Sequence, residues 1–172
     1  AATDSDTVVI TVGAVNDTPT EILVTDTSRG GLSLNQDGGN DTYLVADDGE
    51  AIFGGLTSMT TEVQFEMSSF TGIQYFTSYE TTSQSDAIRI GIHGGGEIRL
   101  LINGDRVDSY AMDYRTLADG EQHTLSVTWD SSGGLWEIFV DGVSVDSGSG
   151  LQNGASLSTG SGTLVYGNEQ DG

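Results

Sequence analysis

Residues 123–145 read HTLSVTWDSSGGLWEIFVDGVSV. Two runs, Gln122 to Trp129 and Leu135 to Val140, flank five turn formers, Asp130-Ser131-Ser132-Gly133-Gly134. Side chains alternate faces along a strand, so this spacing predicts a hairpin. Asp141-Gly142 then makes a second, tighter turn into Val143 to Val145, since Asp-Gly suits the left-handed dihedrals of a two-residue hairpin loop.

The same grammar continues outward. Ala87 to His93 (AIRIGIH) places Ile88, Ile90 and Ile92 on one face, Gly94-Gly95-Gly96 turns the chain, and Glu97 to Asn103 (EIRLLIN) returns. In Thr60 to Met67, Val63 and Phe65 face one way while Glu62, Gln64 and Glu66 face the other. Further strands are expected at Thr7 to Val12, Glu21 to Thr25, Asn40 to Val45, Ile73 to Tyr79 and Thr163 to Tyr166. No window has a helical period; the nearest, Met112 to Leu117, is short and uncapped. The expected fold is all-β, an antiparallel sandwich or jelly roll.

Composition narrows function. The chain has 172 residues, enough for one domain with a sizeable core, and 25 glycines against a single proline, Pro19. It has 26 acidic residues against five basic ones, all arginine, for a net charge of -21. Such a chain repels nucleic-acid phosphates and anionic lipid surfaces and attracts divalent cations. Solubility, in a salty habitat above all, is the alternative account of that charge. Without cysteine there are no disulfides and no thiolate zinc sites. No run reaches the roughly 18 apolar residues of a membrane span, and no basic segment followed by an apolar stretch marks a signal peptide.

The stretch from His123 to Asp171, HTLSVTWDSSGGLWEIFVDGVSV followed by a long loop and LVYGNEQD, resembles the pentraxins and the wider laminin-G-like, concanavalin A-like sandwich superfamily. Pentraxin-like domains carry a His, a Ser/Thr-Trp-acid-Ser hairpin, a strand ending Val-Asp-Gly, and a calcium loop of Gly-Gln-Glu-Gln-Asp type. His123 lies six residues before Trp129, one more than the usual pentraxin spacing, and the pentraxin cysteine of this strand is absent. Upstream, NDTYLVADDGEAIFGGLTSMTTEVQFEM is similar to the opening laminin-G-like strands. YFTSYETTSQSDAIRIGI is similar to the strand-loop-strand that carries the other calcium ligands. The resemblance spans about residues 30 to 172. Residues 1 to 20 (DSDTVVITVGAVNDTPT in the main) resemble the closing strand and linker of cadherin-like or VCBS-type repeats of large bacterial adhesins. The expected division is therefore 1–20, a repeat terminus and linker, and 21–172, the sandwich.

Calcium takes six to eight oxygen ligands. By the resemblance, Ser85 and Asp86 offer them from one loop, and Glu169, the backbone carbonyl of Gln170, and Asp171 from another. Asn16 and Asp17 are the corresponding candidates in the linker. Ser85 stands where the family has a stronger ligand. Two solvated acidic turns are the bland alternative. The family draws further ligands, and its final strands, from sequence beyond the Glu-Gln-Asp motif, so the chain is expected to be a fragment lacking them. Tyr75, Tyr79 and Trp136 are candidates for stacking on a sugar; core packing is the competing role for these aromatics, and for Phe76. Trp129 reads as core, with Trp136 at alternate-face spacing from it.

Other motifs are weaker. Asn40-Asp41 is one degenerate copy of an RTX-type calcium turn, which works only by stacking. Glu62, Gln64 and Glu66 echo the Glu-x-Asp-x-Glu strand of laminarinase-type glycoside hydrolases, but the middle Asp is missing. Strand residues four apart also start about 13 Å from each other, against the roughly 5 Å of a retaining carboxyl pair. His93 and His123 lack a third zinc ligand at sensible spacing. The reading is a non-enzymatic, Ca²⁺-dependent glycan-binding module of a secreted or surface-bound bacterial adhesin. Its partners are the ligand and neighbouring domains, not nucleic acid or membrane. A calcium-rigidified spacer is the second reading.

Overall fold

The computed structural model describes residues 11–12, 22–23, 43–46 and 48–169. The chain divides into two compact units, Ala1–Leu34 and Asn35–Gly172. In the first, β1 (Thr11–Val12) pairs antiparallel with β2 (Ile22–Leu23). The strand expected around Glu21 to Thr25 therefore pairs within this first unit. Asn16, Asp17, Asn40, Asp41, Gln170 and Asp171 lie outside the described residues.

The second unit is a two-sheet antiparallel jelly-roll sandwich, the fold class expected from the alternating strands. Its strands are β3 (Leu44–Ala46), β4 (Ser58–Glu66), β5 (Gln74–Thr81), β6 (Gln84–Ile92), β7 (Ile98–Ile102), β8 (Asp105–Ser109), β9 (Gln122–Asp130), β10 (Leu135–Val140), β11 (Val143–Gly148) and β12 (Gly162–Tyr166). One sheet has the order β3-β12-β5-β6-β7-β8, the other β11-β10-β9-β4. A single helical turn, α1 (Gly49–Phe53), follows β3.

The alternation read from sequence sets the core. Ile88, Ile90, Ile98, Leu100 and Ile102 from the larger sheet are fully buried, as are Leu125, Val127 and Ile138 from the smaller. Trp129 is 1% exposed, and its indole N–H donates to the Leu151 carbonyl at 2.8 Å. That satisfies its one polar atom, so the full benefit of burying the ring is kept. A polar clasp ties the two sheets at one side. Ser109 Oγ in β8 donates to Asp146 Oδ2 in β11 at 2.5 Å. With that proton committed, the buried Tyr114 hydroxyl is the donor in its 2.8 Å bond to Ser109 Oγ. Burial pushes the Tyr114 phenol above its usual pKa, with Ser109 opposing.

Three local expectations need correction. The stretch ending at Leu117 contains a 3₁₀ turn, Tyr114–Leu117, and it is capped: the Asp113 carboxylate accepts from the Arg115 amide. Trp129 and Trp136 do not occupy alternate faces. They are direct cross-strand partners, so they share a face, because the hairpin register opposes them. The edge strand β8 was not expected at all.

The β5–β6 ladder is interrupted twice, between Tyr75 and Thr77 and between Tyr79 and Thr81. Between these shifts the pairing is regular, Thr77 with Ile90, Ser78 with Arg89 and Tyr79 with Ile88. This interrupted ladder positions the candidate site.

Candidate functional site

Cross-strand partners share a face, so the outer face of the six-stranded sheet is read rung by rung. One rung runs Val45, Val165, Ser78, Arg89, Leu101, Arg106. The next runs Tyr75, Gly91, Arg99, Asp108. Three of the five basic residues of the chain thus collect on one face. Leu101 points outward yet is only 5% exposed, because its direct neighbours are two arginine stems that shield it.

Arg89 is the centre of this face. Its Nη1 lies 3.0 Å from Asp86 Oδ1 and 3.3 Å from Glu169 Oε1. Two carboxylates from distant parts of the chain therefore converge on one point. Asp86 and Arg89 differ by an odd number of residues, and in an unbroken strand they would face opposite sides. The register shift between Tyr79 and Thr81 is what brings Asp86 round to the guanidinium. Glu169 arrives by a different device. β12 ends at Tyr166, and Gly167 takes the left-handed region at φ 87°, where a side chain would be strained. The chain turns there and leaves Glu169 buried at 8% exposure against Arg89.

Beyond Arg89 the ionic strip continues. Arg99 donates to Asp108 Oδ1 at 2.8 Å and to Glu97 Oε1 at 3.1 Å, and Arg106 pairs with Asp108 at 3.3 Å. The Tyr75 ring lies over Gly91: a Cβ there would stand 3.0 Å from Tyr75 Cδ1 and 2.8 Å from the Gln74 carbonyl. His93 meets the same ring edge-on, with centroids 5.8 Å apart. Burial raises the Tyr75 phenol pKa, opposed by the Arg89 charge. Burial, then Arg99, lowers that of His93. Among the described residues, four buried polar atoms in this strip have no hydrogen-bond partner: Asp86 Oδ1, Arg89 Nε, His93 Nε2 and Glu97 Oε2. The approach of Arg89 to Asp86 Oδ1 is an ion pair without hydrogen-bond alignment.

The sequence candidates separate clearly. Asp86 and Glu169 are brought together; Ser85 is exposed at the margin of β6. Tyr75 is half-buried beside them. Tyr79 is not a ligand-stacking residue: it is wholly buried, stacks obliquely on Phe53 and donates its hydroxyl to the Ser158 carbonyl. Its register partners Ile88 and Leu164 place it on the core face. Trp136 belongs to the other sheet, where its half-buried ring covers Gly148 of β11. It is therefore no part of the Asp86–Glu169 cluster. Glu62 and Glu66 sit on the exposed face of β4, Glu62 accepting from Ser126 Oγ at 2.6 Å.

The donor set fits a hard cation in part. Two carboxylates aim at one point now held by a positive nitrogen, and one of their oxygens is buried without an aligned donor. Among the described residues, no group of three or more His, Asp or Glu is placed to hold a metal. The remaining sequence candidates, Gln170 and Asp171, fall outside them. Arg89 itself was missed from sequence. The signal was present: one arginine inside an isoleucine strand, in a chain with only five basic residues.

The all-β sandwich is of the lectin type, and the chain belongs to the concanavalin A-like lectin/glucanases superfamily, whose family model matches residues 37–172. Within it, the chain is similar to neuronal pentraxin-2 of Cavia porcellus, 34% identical over 116 residues that make up 67% of this chain and 26% of that protein. The chain thus spans about a quarter of the length of that relative. Two solved structures share the fold. A heptameric SAP-like pentraxin from Limulus polyphemus superposes with a TM-score of 0.55 at 18% identity, over 68% of this chain and 54% of that one. Mouse laminin alpha1 domains LG4-5 give 0.54 at 16%, over 75% and 32%.

Proposed function

We propose that the sandwich is a calcium-dependent ligand-binding module. Asp86 and Glu169, with Gln170, Asp171 and Ser85, hold the ion, and the ligand is a glycan or another polar or anionic group. The observation that carries this reading is the convergence of Asp86 and Glu169 on a single cationic point. When bound, calcium supplies a hard positive centre for a ligand oxygen. The chain's own residues do the rest. The β6 register shift and Gly167 hold the two carboxylates in place, and Tyr75 offers a half-buried ring beside them. Binding rather than hydrolysis is supported by Glu62 and Glu66 lying on the exposed face of the other sheet.

The setting we infer is a secreted or surface-attached bacterial adhesin, with residues 1–20 ending a neighbouring repeat whose Asn16 and Asp17 bind calcium in the linker. The acidic, cysteine-free composition and the separate first unit support it. No helix among the described residues is long and apolar enough to cross a membrane.

Titration of the calcium-stripped chain with CaCl₂ by isothermal calorimetry should show saturable binding, weakened strongly in Asp86→Ala and Glu169→Gln. A glycan array probed with and without EDTA should show signals that the chelator removes. Absence of any calcium heat up to millimolar concentration would sink the assignment.

A further inference from the structure

We propose that Arg89 is an internal counter-ion that yields Asp86 and Glu169 to a divalent cation and, once released, joins Arg106 in recognising an oxyanion of the ligand, a carboxylate or sulfate ester on a saccharide. This rests on the calcium reading above and specifies how that site is controlled and what it selects.

The first argument is shared occupancy. One guanidinium nitrogen contacts both carboxylates. Cation and guanidinium seek the same oxygens and repel each other in a partly desolvated site, so they cannot both keep them. The second is poor matching of the resting pair. Arg89 Nε is buried with no acceptor, and Asp86 Oδ1 receives no aligned hydrogen bond. A guanidinium reads best through two adjacent N–H groups against two side-by-side oxygens, and neither partner uses that mode here. A carboxylate or sulfate provides it.

The third argument is placement. Arg89 and Arg106 flank Leu101 in one rung, two strands apart, or about 10 Å at the backbone. The Arg106 side chain is 56% exposed, and its one ion pair among the described residues is with Asp108, through Nε at 3.3 Å. An oxyanion carried on a sugar ring would meet two guanidinium groups across an apolar floor. The fourth is charge. The ion-paired set opposes three arginines (89, 99, 106) to four carboxylates (Asp86, Glu97, Asp108, Glu169), one negative charge in excess. A divalent cation turns that into one positive charge. On a chain of net charge -21, this makes anion binding conditional on the cation.

The test uses the whole chain, stripped of calcium. In the unmutated protein, phenylglyoxal modification of Arg89, followed by peptide mass spectrometry, should run faster in calcium than in EDTA. Equal or slower modification overturns the release. Calorimetry with CaCl₂ should then show Arg89→Met binding about tenfold tighter than the parent chain, the scale of coupling between competing ligands. Unchanged or weaker binding removes Arg89 from this role while leaving the calcium site standing; no calcium binding in either protein removes both. Galactose 6-sulfate should bind the calcium-loaded parent better than galactose, and Arg89→Met should lose that preference. Retention of the preference overturns the recognition half. If Arg89→Met does not fold, Arg89→Lys keeps the charge: its calcium affinity should match the parent while the sulfate preference falls, and an undiminished preference overturns the same half.

Discussion

The outer faces of the two sheets are built from the same alternating pattern and end in opposite states. On the four-stranded sheet the outward residues of β4 are Ser58, Thr60, Glu62, Gln64 and Glu66, all exposed, and none of its strands contains an arginine or lysine. On the six-stranded sheet the outward residues include three arginines, and their acidic partners Glu97 and Glu169 are buried to 5% and 8% exposure. A solvated polar face costs nothing and does nothing in particular. A face that withdraws charges from water must compensate each one by pairing, and here several polar atoms remain uncompensated. Uncompensated burial of that kind supports the binding role proposed for this face.

The comparison is broken most directly at Arg89. Arg89→Ala in calcium-free buffer leaves Glu169 and Asp86 without a counter-charge, and urea unfolding should report a loss of about 3 kcal/mol, recovered in part by added calcium. A loss under about 1 kcal/mol would make this face an ordinary surface. Gly91→Ala should cost about 1–3 kcal/mol, since its methyl group meets the Gln74 carbonyl and the Tyr75 ring.

The two histidines sharpen the contrast through pH. His123, on β9, has its pKa raised, first by its hydrogen bond to Asp141 and then by Asp119, against burial. A raised folded value contributes stability that is complete below the unfolded value near 6.5 and is lost as pH rises through the folded one. His93, on the ionic face, has its pKa lowered by burial and Arg99, so its contribution is present above 6.5 and lost as pH falls. Melting temperatures followed from pH 8 to pH 5 should therefore respond oppositely: His123→Gln removes an acid-side gain, His93→Gln an acid-side loss. Profiles shifted in the same direction would contradict the assignment. At the small end, Glu62→Gln and Glu66→Gln should stay within about 0.5 kcal/mol of the parent.

What sequence could show followed from how much each residue is constrained by burial. The β6–β7 and β9–β10 hairpins were legible because their isoleucines, leucines and tryptophan must face a core. The tight turn at Asp141-Gly142 was legible for a local reason, and both residues take positive φ, 52° and 75°. Strand β8 was hidden because DRVDS is an edge strand with Val107 as its single apolar residue. Its clue was Asn103-Gly104, which takes the same left-handed turn at 47° and 84°. Helix α1 is one turn, too short for a period. At the site, the carboxylates Asp86 and Glu169 were readable from their motif, but their common partner was not. Strict alternation puts Arg89 across the sheet from Asp86, and only a register shift undoes that. Tyr79 failed as a candidate because the neighbouring shift fixes which of Tyr75, Phe76 and Tyr79 turn inward.

Those two shifts in the β5–β6 ladder carry a further consequence, for how the domain tolerates change. Ordinarily, adding or deleting one residue in a strand turns every following side chain inside out. Here the three regular pairs around Ser78–Arg89 are bracketed by places where the ladder already accommodates surplus residues. A length change in the 82–83 connection, or ahead of Gln74, can be taken up by moving a bulge, with Tyr79 and Ile88 still facing the core. The segment bearing the arginine is insulated at both ends, so the loops beside it can be remodelled for new ligands without re-solving the fold.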